Sequence, residues 1–346
     1  MRNSCGNYCV TPMIDRLIEA LWNFLRGLFE KALDSEQGRR VKPPNRRTVG
    51  PPDIMEVAAG EGPSWGTLSS LAAHPTDPHR LFAVTDHDSP PLRIVEISVA
   101  NGAPRVVRQI GISAPGFTKL DCEGLAIVPG GGFWLASEGK AGSTRSNVLV
   151  EVNAEGRLLR SIELPPAIAA RVTDRGFEGV AYAQDPGVAD RLVVSFQSGI
   201  DGDAEGLTRI GVVDLSSRTW TFHYYPLELL ESGNFTGLSD IVHLGANRFA
   251  VIERDGKGGK HAVKWITITD LGSAPDAGST GEQPVLSKRL AIDLVPFFRE
   301  RGYRVEKEIE GLASAADNRV YAITDNDNER PTLLLYLGQA SVVFGS

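Results

Sequence analysis

The chain has 346 residues, 42% of them hydrophobic and 23% charged, with 37 Gly, 21 Pro and a formal net charge of −7. That composition fits a folded globular protein and excludes a disordered, collagen-like or disulfide-dense one, the three cysteines Cys5, Cys9 and Cys122 being too few for a disulfide framework or a four-ligand zinc site. No run of about 18 apolar residues occurs to span a bilayer. Residues 1–50 hold nine Lys/Arg against five Asp/Glu, whereas residues 51–346 hold 27 against 38, a balance of −11 that repels nucleic acid.

From Met13 to Leu33 apolar residues recur at helical spacing, among them Ile14, Leu17, Ile18, Leu21, Trp22 and Leu25, which predicts an amphipathic helix. The basic, Pro-containing stretch Arg39 to Arg47 follows and reads as an exposed linker. Residues 1–50 are therefore expected to form an arm and residues 51–346 the main domain. Residues 13–34 offer a face for packing on the chain itself or a protein partner, or an interfacial membrane anchor with a basic flank. Charges interrupt the apolar stretch, so it does not read as a secretory signal, and the compartment stays open.

Beyond Pro52 the pattern changes to short apolar runs punctuated by Gly, Pro, Asp and Asn, the mark of many short strands. The runs repeat. Asp121-Cys122-Glu123-Gly124-Leu125-Ala126 opens a unit of four strands that continues through Gly132–Gly139, Val148–Val152 and Leu158–Leu164. Further units open at Phe177-Glu178-Gly179-Val180, Thr236-Gly237-Leu238-Ser239-Asp240 and Glu310-Gly311-Leu312-Ala313, with a weaker one near Thr67-Leu68-Ser69-Ser70-Leu71. Four-stranded units of roughly 45–60 residues are blades of a β-propeller, here all-β with five or six blades. The last unit lacks an outer strand, which Asp53–Ala58 could supply to close the ring. Asp293 to Glu308 reads as a short helical insertion before that unit.

In a blade the first strand lines the channel and the second returns beside it, so the start of one and the end of the other emerge on the same face. Glu123, Glu178 and Glu310 start first strands, and Asp86, Glu138, Glu253 and Asp325 are placed at the ends of second strands. Seven carboxylates aimed at one mouth raise each other's pKa unless a cation sits among them. Ca2+, which takes six to eight oxygen ligands in flexible geometry, is the expected metal, with these seven residues as candidate ligands. Arg254, beside Glu253, is the cation best placed to orient an anion, and Glu310, Glu178 and Arg254 are the catalytic candidates. The acidic clusters Asp86-His87-Asp88 and Asp325-Asn326-Asp327-Asn328-Glu329 lie at equivalent places. Asp201-Gly202-Asp203-Ala204-Glu205-Gly206 resembles the opening of an EF-hand loop, but its twelfth position is Val212 where that loop needs a bidentate Glu. Gly62-Pro63-Ser64-Trp65-Gly66 matches the G-x-S-x-G pattern without the strand and helix a nucleophile elbow requires.

Across about Gly66 to Gly338 the Glu-Gly-Leu openings, Gly132-Phe133-Trp134-Leu135-Ala136-Ser137-Glu138-Gly139 and Tyr321-Ala322-Ile323-Thr324-Asp325-Asn326 resemble the phytase-like family described as having "esterase-like activity of phytase". The resemblance implies a β-propeller, Ca2+ binding, and a hydrolase acting on phosphoric or other ester bonds, often outside the cytoplasm. The expected reading is a Ca2+-dependent hydrolase of small phosphate esters. Its alternatives are a metal-dependent lactonase or carboxylesterase using the same mouth, and a non-catalytic propeller that binds a ligand or protein.

Overall fold

The computed structural model describes residues 53–86, 91–117, 119–273, 284–325 and 330–345. The amphipathic arm, His87, Asp88 and Asn326–Glu329 lie outside them. Among the described residues, twenty strands form five four-stranded antiparallel sheets. The first comprises β2 (Leu68–Ala73), β3 (Arg80–Thr85), β4 (Arg93–Ser98) and β5 (Arg105–Gly111). The second comprises β6 (Cys122–Ile127), β7 (Phe133–Ser137), β8 (Val148–Val152) and β9 (Leu158–Glu163). The third holds β10 (Phe177–Ala183), β11 (Arg191–Phe196), β12 (Leu207–Asp214) and β13 (Trp220–Pro226). In the fourth are β14 (Gly237–His243), β15 (Arg248–Arg254), β16 (Lys264–Asp270) and β17 (Lys288–Asp293). The fifth combines β18 (Ile309–Ser314), β19 (Arg319–Thr324) and β20 (Leu333–Gln339) with β1 (Ile54–Glu56) from the start of the body.

The fifth blade is thus completed as the sequence predicts, with Ile54 opposite Leu335 and Glu56 opposite Leu333. The innermost strands β2, β6, β10, β14 and β18 contact one another in a ring that closes from β18 back to β2. This is a five-bladed propeller. Among the described residues two short α-helices accompany the strands, α1 (Pro166–Ala169) and α2 (Leu294–Glu300). The second is the expected insertion, and the Asp293 carboxylate caps it by accepting from the Val295 N–H at 2.9 Å.

Both faces of each inner strand are covered by neighbouring blades, so the core is divided into five wedges, one between each pair of sheets. Leu68, Leu81 and Val95 meet Tyr321, Ile323 and Leu334 between blades five and one. Trp134, Ala136 and Leu149 meet Phe177, Leu192 and Val194 between blades two and three. Each fully buried Leu, Ile, Val or Phe contributes about 1.5–3 kcal/mol, and repeating such pairs around a ring leaves no blade able to separate alone. The outer strands are half in water: β5 alternates buried Val106 and Ile110 with exposed Arg105, Val107 and Arg108.

Every innermost strand carries a break in register at the same place, between Ser69 and Ala72, Cys122 and Gly124, Phe177 and Val180, Leu238 and Ile241, and Ile309 and Gly311. A bulge there re-aims the side chain next to it, and in three blades that side chain is the Glu of Glu-Gly-Leu/Val. The glycine beside it is a matter of space. A Cβ on Gly124 would meet the Glu178 carbonyl oxygen at 2.3 Å, and one on Gly179 would meet the Asp240 Cα at 2.6 Å. Adjacent blades touch backbone to backbone at this level.

Candidate functional site

The five bulges place Ser69, Glu123, Glu178, Ser239 and Glu310 at one level of the channel mouth, one from each blade. The second strands contribute a second ring. Leu68, Cys122, Phe177, Leu238 and Ile309 lie opposite Thr85, Ser137, Phe196, Glu253 and Thr324, and the residues that follow these are Asp86, Glu138, Gln197, Arg254 and Asp325. A cavity of about 270 Å³ is lined by all five residues of the second ring and by Ser69, Glu123, Glu178 and Glu310 of the first, joined by Asp174, Arg175 and Glu308. Eight carboxylates therefore face two arginines.

Six of the seven predicted metal-binding carboxylates meet there: Asp86, Glu123, Glu138, Glu178, Glu310 and Asp325. Glu253 does not. The strand pairing sets it level with Thr85, Ser137 and Thr324, one residue short of the mouth, and in a strand a shift of one residue sends the side chain to the opposite face. It is fully buried between blades three and four, where its carboxylate accepts from the Glu228 N–H at 2.6 Å, the Thr236 hydroxyl at 2.7 Å and the Tyr225 hydroxyl at 2.9 Å, and pairs with Lys288 at 2.8 Å. Its place at the mouth belongs to Arg254.

Arg254 is half-buried and donates to the Ser239 hydroxyl at 2.9 Å, forms an ion pair with Glu310, and approaches Glu308 at 3.8 Å. Burial works against its charge, yet Glu310, Glu178 and Glu308 together hold its pKa above the ordinary value. Two other arginines are committed elsewhere. Arg145 is taken up by Asp121, and Arg93 by Gln109, Ser64 and Pro91.

The carboxylates are unevenly compensated. Glu178 and Glu310 are buried, and Glu123 is partly open. Burial, then the charges of Glu178 and Asp121, pushes Glu123 well up, although the Ser69 hydroxyl donates to it at 2.8 Å. Burial and the charge of Glu310 do the same to Glu178, with Arg254 opposing. Glu310 is raised by burial and Glu308, again against the pull of Arg254, and Glu138 is raised by burial and Asp121 while accepting the Gly176 N–H at 3.0 Å.

Beneath the mouth the channel is sealed by a residue that the sequence pattern does not single out. Asp240 occupies the position filled by Gly124, Gly179 and Gly311 in other blades, is 1% exposed, and reaches across the axis. One oxygen accepts from the Ser70 hydroxyl at 3.0 Å and its neighbour Ile241 N–H at 3.0 Å. The other accepts from Leu71 N–H at 3.0 Å and Leu312 N–H at 2.9 Å. Ser70, at the same repeat position in blade one, in turn accepts from Leu125 N–H at 3.0 Å. Four blades are joined through one carboxylate and one hydroxyl. Burial pushes the Asp240 pKa up to about 7 even with those donors in place. The signal was present: among the aligned openings, only blades one and four lack the glycine.

A second, larger cleft of about 840 Å³ adjoins the mouth and shares Arg175, Gln197, Arg254 and Glu308 with it. Its walls are the β11–β12 loop from Gln197 to Gly206 and the β13–β14 loop from Leu227 to Thr236. The EF-hand-like segment lies in the first of these. There Asp203 is committed to Arg171 at 3.1 Å and Arg209 at 2.8 Å, so it braces the loop.

The donor set at the mouth consists of hard oxygens in excess of nearby cations, which suits Ca2+ in chemistry. Among the described residues no three His, Cys, Asp or Glu side chains already converge to hold a metal ion. The fit therefore rests on the excess of carboxylates over arginines lining the mouth.

Solved structures resemble the chain loosely. A protein of unknown function from Dyadobacter fermentans aligns over 85% of this chain and 84% of its own with 12% identity and a TM-score of 0.42. A putative oxidoreductase (glucose dehydrogenase) from Thermus thermophilus covers 81% and 85% with 14% identity and a TM-score of 0.38. Pseudomonas fluorescens PhoX, solved with the transition-state analogue vanadate, covers 80% and 89% with 8% identity and a TM-score of 0.38. No curated protein sequence matches the chain. The family profile "Phytase-like: Esterase-like activity of phytase" matches residues 63–328, within which lie both rings of the mouth, and the chain belongs to that family.

Proposed function

We propose that the protein is a metal-dependent hydrolase of phosphate esters acting at the acidic mouth, with Ca2+ as the metal. The observation that carries this reading is the meeting of Glu123, Glu178 and Glu310 with Arg254 in one cavity where carboxylates outnumber arginines. Family membership supports ester hydrolysis as the reaction class. Asp86, Glu123, Glu138 and Asp325 would hold the cation, which when bound supplies neutralising charge and Lewis acidity toward an anionic ester.

The chain's own groups divide the remaining work. Arg254, fixed by Ser239, Glu308 and Glu310, presents a guanidinium that binds a phosphoryl oxygen and stabilises the charge that grows on it. Glu178, whose pKa burial and the charge of Glu310 push up, takes a proton from the attacking water and returns it to the leaving oxygen. Water oxygen bonds to phosphorus as the ester P–O bond breaks. Glu310 positions Arg254.

The test is phosphate release from an aryl phosphate by the purified protein, with Ca2+ and after chelation. Turnover that disappears on chelation and returns with Ca2+ is expected. Release that ignores the chelator sinks the metal-dependent reading. Hydrolysis of carboxylic esters or lactones alone moves the same mouth to the other ester class, and absence of all hydrolysis leaves a binding propeller.

A further inference from the structure

The larger cleft has walls that are held in place. The loop from Leu227 to Thr236 is anchored from below by buried Glu253 through the Glu228 N–H and the Thr236 hydroxyl, and Leu229 bridges to Phe235. The opposite loop is braced by Asp203, 1% exposed in its side chain, on Arg171 and Arg209. A volume of about 840 Å³ between such walls falls within the range of small-molecule sites, which are largely preformed. Their lining is mixed. Leu227, Leu230 and Phe235 lie half-buried on one wall, with Ile200 facing them. Asp203 is neutralised by Arg171 and Arg209, and Asp255 by buried Lys264 at 2.7 Å, so the charges left to meet a ligand are Arg175, Arg254 and Lys257 beside Glu205 and Glu308.

Arg175 belongs to both spaces. It lies between Asp174 and the Gly176 N–H that holds Glu138, its side chain is 65% exposed, and it meets Asp174 at 3.8 Å. Where Arg254 is fixed by three partners, Arg175 has a guanidinium loosely held at the passage from mouth to cleft.

We propose that this cleft holds the leaving group of the ester split at the mouth, and that it selects a single anionic ester group on an uncharged, partly apolar body, such as an aryl phosphate, over a polyphosphorylated ring. Arg175 clamps the one anion at the passage, and Phe235 and Leu230 pack on the body. Several phosphates in the cleft would bring far more negative charge than Arg175, Arg254 and Lys257 can balance, beside Glu205 and Glu308. The proposal rests on the hydrolase reading for its chemistry. Water oxygen joins phosphorus, the P–O bond to the body breaks, and the released alcohol takes the proton.

The experiment uses the full-length protein with Ca2+ and compares kcat/KM for 1-naphthyl phosphate, methyl phosphate and inositol hexakisphosphate, with equilibrium binding of 1-naphthyl phosphate followed by its fluorescence. We expect naphthyl phosphate to exceed the hexakisphosphate at least tenfold. Phe235→Ala and Leu230→Ala should each weaken naphthyl phosphate about fivefold to tenfold, through KM and in the binding assay, while leaving methyl phosphate within twofold. Arg175→Gln should raise KM for both monophosphates. Preference for the hexakisphosphate, or equal binding of naphthyl phosphate by wild type, Phe235→Ala and Leu230→Ala, overturns the proposal. Binding that depends on Phe235 without turnover of any ester supports the cleft as the ligand site and sinks the hydrolase reading instead.

Discussion

Two adjacent positions on the same five inner strands treat carboxylates in opposite ways. At the first, Glu123, Glu178 and Glu310 face a cavity with too few cations, and each is pushed up by burial and by like charge. At the next, Asp240 is buried deeper but meets four donors from three blades. A carboxylate whose acceptor sites are filled by N–H and O–H groups is part of the framework. Carboxylates left facing one another are where chemistry or a cation is expected.

The comparison breaks first at the seal. Asp240→Ala leaves three backbone N–H groups and the Ser70 hydroxyl without acceptors, and an expected loss of about 3–5 kcal/mol of stability can be read from urea denaturation. Since the folded-state pKa of Asp240 lies near 7, above the ordinary 3.8, the folded protein binds the extra proton between those values. Its contribution is therefore present at low pH and lost as pH rises through that window. Wild type should lose stability from pH 4 to 7, and the slope should be shallower in Asp240→Ala. A protein as stable as wild type after this change would remove the seal.

At the mouth, Glu178→Gln should lower hydrolysis by about 10²–10³-fold without lowering the melting temperature, because it removes a repelling charge. A collapse of stability with activity per folded molecule unchanged would make Glu178 a framework residue like Asp240. Glu253→Gln sharpens the boundary between the two kinds. It weakens a buried pair with Lys288 and should cost about 2 kcal/mol in the same denaturation assay, while Ca2+ affinity measured by calorimetry stays at the wild-type value. The smallest effect is at Ser69, whose hydroxyl supports Glu123. Ser69→Ala should change Ca2+ affinity by about 1 kcal/mol or less, again by calorimetry.

Much of this was legible in the repeat. Glu-Gly-Leu openings mark three of the five inner strands, and the missing outer strand of the last blade points to the segment at Ile54. The outer strands β5 and β17 escaped because they are half in water. Arg-Val-Val-Arg-Gln-Ile-Gly and Lys-Arg-Leu-Ala-Ile-Asp carry a weak apolar pattern. Acidity alone points Glu253 to the mouth, but the face a strand residue takes depends on register, and register follows from pairing with Leu238. Asp240 acts on Ser70 and Leu71, 170 and 169 residues away in the chain, a relation no local pattern contains. Arg175 and the cleft beside it arise from loops that come together only when blades three and four are in place.

Ring closure by β1 also imposes an order on synthesis. Ile54 leaves the ribosome long before its partner Leu335. Until then the first strand has no ladder to join and the fifth blade has no outer edge, an invitation to pair with a neighbouring nascent chain. Completion must wait for β20 to emerge, so the dominant barrier to folding should be a late, long-range closure whose loss opens the wedge between blades five and one before any other.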